Sequence, residues 1–230
     1  GSSSRIGTMP LPGFRRQPEQ AEARLAGAWF ATPAGRAILD SEDAIVRRAA
    51  DERPGQPWLR LMPTGGLPAV GAHELPLHVE GGAFHGPFRC ALPLPLASES
   101  IGTVVLQHVA DGAVLPRALL EEAARVLVPG GRLWLLALNP LAPYRLRWLR
   151  QGPEASEPIR WRVRMRSAGL APEAVSQGVG PRWHTVANPI LQNGAGMRAA
   201  YLLRAEKRVS PLTPIRPRPT LRVSTGVPAA

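Results

Sequence analysis

A chain of 230 residues with one cysteine and one lysine leaves much chemistry out. Cys90 alone closes no intrachain disulfide, so a reducing cytoplasm is the expected setting. No uninterrupted apolar run is long enough to cross a bilayer. The polar Gly1-Ser2-Ser3-Ser4 start has no apolar segment behind it, so no secretory leader is read there. There is no Cys/His cluster with metal spacing, no Walker loop and no Gly-x-Ser-x-Gly elbow. Metal-centred, nucleotide-hydrolysing and serine-hydrolase chemistries therefore have no residues to stand on. Internal repeats are absent as well.

What the chain has in excess is positive charge. The formal net charge is +11, and Lys207 is the only positive side chain that is not arginine. A basic balance favours anionic partners such as nucleic acid or a membrane surface. An arginine-rich, alanine-rich composition of purely genomic origin is the other reading, and charge alone does not separate the two.

The most informative stretch runs from Leu92 to Pro140. Thr103 to Leu106 is an apolar, β-branched run too short for a helix and is read as a buried strand. Over residues 116–128, Leu119, Leu120, Ala123, Val126 and Leu127 recur at helical spacing, and Pro129-Gly130-Gly131 is expected to end that helix. Leu133 to Leu138 is a second buried strand. Strand, helix and strand joined by short turns imply a right-handed crossover in a parallel sheet.

The strings LPLASESIGTVVLQHV and LLEEAARVLVPGGRLWLLALNP within this stretch resemble the second half of class I S-adenosylmethionine-dependent methyltransferases of the type 11 domain group. Ala124-Arg125-Val126-Leu127-Val128-Pro129-Gly130-Gly131 is the most specific part of the match. The resemblance implies a Rossmann-like α/β sheet, mostly parallel with an antiparallel edge strand, in a three-layer sandwich. It also implies S-adenosylmethionine as cofactor. A Pro-Gly-Gly turn has a structural task, so this match speaks to fold more than to activity.

Further strands are expected near 58–62, 75–80, 88–91, 171–179 and 199–205. Thr32 and Pro33 fit the N-cap and first position of a helix reaching about Ala50. Its apolar set is Ile38, Leu39, Ile45 and Val46, with Arg36, Asp40, Glu42, Asp43, Arg47 and Arg48 expected largely outside. Trp29 and Phe30 precede it, and either cover the sheet or close over the cofactor. A further helix is expected at 160–168, stopped by Gly169.

Read against the family pattern, the cofactor loop is Met62-Pro63-Thr64-Gly65-Gly66. Glycines are wanted there so that backbone can approach the ligand. Only Gly65 and Gly66 remain, and a plain turn is an equal reading. Glu80, ending the second strand, is the ribose candidate, because one carboxylate accepts from two hydroxyls; a solvated turn residue is the alternative. Cys90 and Ala91 stand where the family commonly has an aspartate for the adenine amino group. Gln107 and His108 follow the fourth strand, where ligand crevices of parallel sheets lie. His108 reads either as a general base or as a packed, hydrogen-bonded neighbour. Asn139 ends the fifth strand and is expected to line the substrate mouth.

Residues 1–20 are expected to form a flexible arm, 21–209 the domain, and 210–230 a basic, proline-rich tail that cannot pack. Tyr144, Arg145, Arg147, Trp148, Arg150, Arg160 and Trp161 make an arginine- and aromatic-rich segment, which suits nucleic-acid contact or a solvated helical lid. Two functions follow. One is a methyltransferase with an eroded cofactor loop, whose acceptor is unassigned and is expected to be a small molecule sooner than a macromolecule. The other is a noncatalytic, methyltransferase-like binding or scaffold protein that contacts nucleic acid through its arginines. No catalytic residue is assigned, because methyl transfer needs mainly alignment and exclusion of water.

Overall fold

Residues 27–111, 116–149 and 153–208 are described by the structure, a computed structural model. The expected arm and tail lie outside the described residues. The chain forms β1 (Trp58–Met62), β2 (Glu74–Glu80), β3 (Ala83–His85), β4 (Ile101–Gln107), β5 (Leu127–Leu138), β6 (Leu170–Pro172), β7 (Gln177–Val179), β8 (Gln192–Asn193) and β9 (Ala200–Lys207). Among the described residues they are joined by α1 (Pro33–Ala50), α2 (Pro116–Val126) and α3 (Pro158–Ser167), with further helical turns at 27–30 and Pro143–Arg147. The sheet order is β3-β2-β1-β4-β5-β9-β7-β8, with β6 also on β9. β2, β1, β4 and β5 are mutually parallel, and antiparallel strands flank them on both sides.

The parallel centre has both faces covered, so its strands carry apolar residues without alternation. Leu59, Leu61, Val104, Leu106, Leu133 and Leu135 face α2 and α3. Trp58, Val105, Trp134 and Leu136 face α1 and the helical residues 27–30, which carry Trp29 and Phe30. This is the expected three-layer arrangement. α1 begins as its sequence predicts: Thr32 Oγ1 accepts from the Gly35 amide at 3.3 Å, and Pro33 occupies the first helical position. A Cβ on Gly35 would overlap the Trp29 and Phe30 backbone, so the helix start and the preceding turn pack directly together.

Several expected elements are different. α2 stops at Val126, and Leu127 already pairs with Ile101. The next pairing in that ladder is Arg132 with Thr103, so Pro129-Gly130-Gly131 forms a bulge inside β5, with Gly130 at φ +71°. The Arg53 guanidinium donates to the Gly130 carbonyl and holds the bulge. There is no strand at 88–91. Cys90 makes one isolated bridge with Phe84, because β2 turns straight back into the β3 hairpin through Gly81 and Gly82, both at positive φ. The expected strand 171–179 is two short ones, β6 and β7, both on β9.

The largest departure is the connection between β1 and β2. Parallel neighbours are usually joined by a crossover helix. Residues 63–73 are turns and extended chain only. A loop laid over a sheet brings unpaired backbone polar groups with it, and the sheet beneath must answer them. Here Arg60 donates to the Pro68 carbonyl at 3.3 Å, and Glu74 accepts from the Val70 amide at 2.6 Å. The Trp58 indole N–H donates to the Ala72 carbonyl at 3.1 Å.

Candidate functional site

Two features meet at the carboxyl ends of the parallel strands: a buried polar network and an open cleft. The network starts at Arg60, a charged residue buried in mid-strand between Leu59 and Leu61. Its Nε and Nη2 donate to Gln107 Oε1 at 3.2 and 2.8 Å. Nη1 lies 3.6 Å from the Glu74 carboxylate. Gln107 Nε2 donates to Glu42 Oε2 at 2.8 Å, so β4 is tied to α1. Glu42 Oε1 then meets His108 Nε2 at 2.7 Å, and His108 Nδ1 meets Asp111 Oδ2 at 3.3 Å. Asp111 also accepts from the Leu138 amide at 2.7 Å, which reaches β5.

His108 lies between two carboxylates and is sealed from water. Burial pushes its imidazolium pKa down, but Glu42 and Asp111 outweigh that and hold it up at about 9. At neutral pH both ring nitrogens therefore carry protons and donate. Such a ring has no lone pair to offer, and its two nitrogens are occupied by Glu42 and Asp111. Burial in turn pushes the Asp111 carboxyl above the usual range. The Phe30 ring stacks on His108 with centroids 4.7 Å apart. His108 also has φ +53°, a left-handed conformation uncommon outside glycine, which the bonds to α1 and to Asp111 accompany.

The cleft, about 410 Å³, lies beyond the ends of β1 and β2. Pro63, Thr64 and Gly65 form one side, His78 to Gly81 the other, and Gly27, Ala28 and Ala31 the roof. Pro63, Thr64, Gly65 and Glu80, chosen from the sequence, thus line one cavity. Glu80 is solvent-facing, with His78 Nε2 at 3.7 Å. Gly65 packs against the His78 ring, which an added Cβ would meet at 3.1 Å, whereas Gly66 at φ +76° has open space around it. Met62, Gln107 and His108 are buried and, like Gly66, are not among the lining residues. Cys90 and Ala91 are also outside the lining, and the Cys90 backbone N–H and C=O are both bonded to Phe84, at 2.9 and 2.8 Å. Burial pushes the Cys90 thiol pKa up, which suits packing and not reactivity.

Asn139 does not line a mouth. It is buried, with its side-chain amide donating to Gly196 and Arg198 carbonyls at 2.8 and 2.9 Å. Its Oδ1 accepts from the Leu141 amide at 3.1 Å. Glu42, expected outside, is buried instead. The signal was in its spacing: positions 38, 42, 45, 46 and 49 share a face, and Glu42 fills the apolar stripe of α1. Arg60 was visible too, as the one charge in a strand whose neighbours are all apolar. Such a residue is buried only with partners.

The cleft tests the cofactor that the sequence suggests. A carboxylate at the end of β2, the Gly65 backbone in the β1 loop and a cavity of ligand size fit the methionine and ribose part of S-adenosylmethionine. Cys90 and Ala91, at the position expected for the adenine, carry no side-chain carboxylate, and the Cys90 main chain is already bonded.

Residues 86–135 match the family model of a methyltransferase domain. No curated sequence matches the chain. Among solved structures, a methyltransferase from Thermotoga maritima is similar with a TM-score of 0.52 and 16% identity, over 78% of this chain and 97% of that one. One from Aquifex aeolicus gives a TM-score of 0.52 at 11% identity, over 85% of this chain and 100% of the other. Identities this low speak for fold. The parallel centre with its antiparallel flank gives this chain the fold of class I S-adenosylmethionine-dependent methyltransferases, and within that fold residues 86–135 match the model of a methyltransferase domain.

Proposed function

We propose that the chain binds S-adenosylmethionine in the cleft over residues 63–66 and is a methyltransferase for a small acceptor. The observation that carries this reading is the cleft itself, at the carboxyl ends of β1 and β2, where ligands of such sheets bind, with Glu80 presented to it. Bound there, the cofactor supplies an already activated methyl group on its sulfonium. Glu80 would accept from the ribose hydroxyls, and Pro63, Thr64 and Gly65 would hold the opposite side of the ligand. Pro63 and the turn at 27–31 keep water from one side. With His108 protonated and enclosed, the protein offers no base from that position. The acceptor therefore brings its own lone pair and gives its proton to solvent.

Titration calorimetry with S-adenosylhomocysteine tests this. A main chain already bonded at Cys90 and a loop short of one glycine each weaken binding, so affinity poorer than micromolar is expected. Glu80→Ala should weaken it further, about ten-fold or more, through lost hydrogen bonds to a charged acceptor. Its melting temperature should stay unchanged, since Glu80 is exposed. Tight binding untouched by Glu80→Ala would place the ligand elsewhere.

The absence of a helix between β1 and β2 favours a second reading, a noncatalytic binding protein on a methyltransferase fold. That helix is where the first loop of such a sheet ordinarily presents backbone N–H groups to a ligand. No heat at millimolar S-adenosylhomocysteine would establish this reading over the first.

A further inference from the structure

We infer that the face formed by residues 141–149 and 182–190 docks on an anionic lipid surface. Both segments leave the same end of the sheet, the first from the end of β5 and the second from the end of β7, in the connection to β8. They are joined there: the Arg147 guanidinium donates to the Trp183 carbonyl at 3.0 Å, and Asn139 holds the Gly196 and Arg198 carbonyls. Beneath them, Trp148 and Tyr144 are buried against Trp29 and the α1 core, so the segments are anchored from below.

What they show to solvent is unusual for a free surface. Leu141, Leu146, Leu149, Trp183, Val186 and Ile190 are each between 55% and 74% exposed. Single exposed apolar residues are ordinary, but a grouped set marks a contact surface. Interleaved with them are exposed Arg145, Arg147 and Arg182. Neither segment contains an aspartate or glutamate. None of the three guanidiniums has a carboxylate partner among the described residues. Arginines that donate only to neutral oxygens, of Pro140, Trp183 and Gln192, keep their charge unneutralised; beside exposed aliphatic side chains they complement anionic headgroups over acyl chains, and tryptophan is favoured at that boundary. Nucleic acid fits the same charge less well. Five of the six apolar groups are aliphatic, and only Trp183 presents a ring on which a base stacks. Among the described residues no helix is long and apolar enough to cross a membrane, so the contact is peripheral.

The test is flotation of the full chain with vesicles of phosphatidylcholine alone and of phosphatidylcholine mixed with phosphatidylglycerol. Flotation is expected with the mixed vesicles only, and lost at high salt. Leu146→Asp combined with Ile190→Asp should weaken partitioning about ten-fold or more, as each removes the burial of an aliphatic side chain. Both positions are exposed, so an unchanged melting temperature will show that the fold is kept. The basic segment after residue 208 is intact in this variant. Retained flotation of the double variant therefore overturns the inference, because binding would then come from that segment or from charge alone. Failure of the parent chain to float with anionic vesicles overturns it too. So does binding of single-stranded RNA that displaces the vesicles and is lost in Arg145→Glu with Arg147→Glu but kept in the apolar double variant.

Discussion

Replacing Arg60 by leucine is expected to remove about 3–5 kcal/mol of folding stability, the usual result of breaking a buried pair from one side. The substitution looks conservative in a strand that reads Trp-Leu-Arg-Leu-Met. Yet Arg60 is almost wholly buried and answers three groups at once: Gln107 Oε1, the Pro68 carbonyl and the Glu74 carboxylate. Without it, Glu74 keeps only the Val70 amide, and the loop that replaces a crossover helix loses its hold on the sheet. For a domain of this size the melting temperature should fall by roughly ten degrees or more. Urea unfolding measures the change directly. Arg60→Leu with Glu74→Leu should recover part of the loss, since no isolated charge is then left inside. A single variant within about 1 kcal/mol of the parent would mean that the network is slack and the loop is held by its apolar residues.

The second large effect is on pH dependence. His108 has its pKa raised from 6.5 in the open chain to about 9 in the fold. The stability it contributes is therefore fully present below pH 6.5 and is lost as pH rises through 9. On the order of 3 kcal/mol is at stake, the free-energy equivalent of that shift. Asp111, raised by burial, acts in the same direction: its contribution is present below its unfolded pKa and declines as its own folded pKa is passed. His108→Gln should flatten the curve. The variant should be much less stable than the parent below pH 6.5, and the two should converge above pH 9. Parallel curves across that range would show that His108 is neutral in the fold, and the assignment of both ring protons would fail.

These effects rest on residues whose burial could be read only partly from the chain. Thr32 and Pro33 define the start of α1 locally, since a cap bond and a fixed φ involve only neighbours. The strands around residues 59, 104 and 135 follow from apolar runs that both faces of a sheet must cover. Pro63, Thr64, Gly65 and Glu80 share a cleft because parallel strands bring their carboxyl ends to one edge, and this too follows from order along the chain.

What the sequence by itself determined is thus the layer architecture and the place of the cleft, through periodicity and strand direction. Tertiary structure decided the rest. Whether Pro129-Gly130-Gly131 ends a helix or bulges a strand depends on where Leu127 finds its partner, Ile101, in another strand. Whether Cys90 begins a strand depends on Phe84, claimed by a hairpin whose glycines also fit an ordinary turn. Glu42, Gln107, His108 and Asp111 are separated by up to 69 positions yet share one set of protons. A charged side chain is tolerated inside only when distant residues satisfy it. That requirement is met by three-dimensional proximity, which spacing along the chain does not encode.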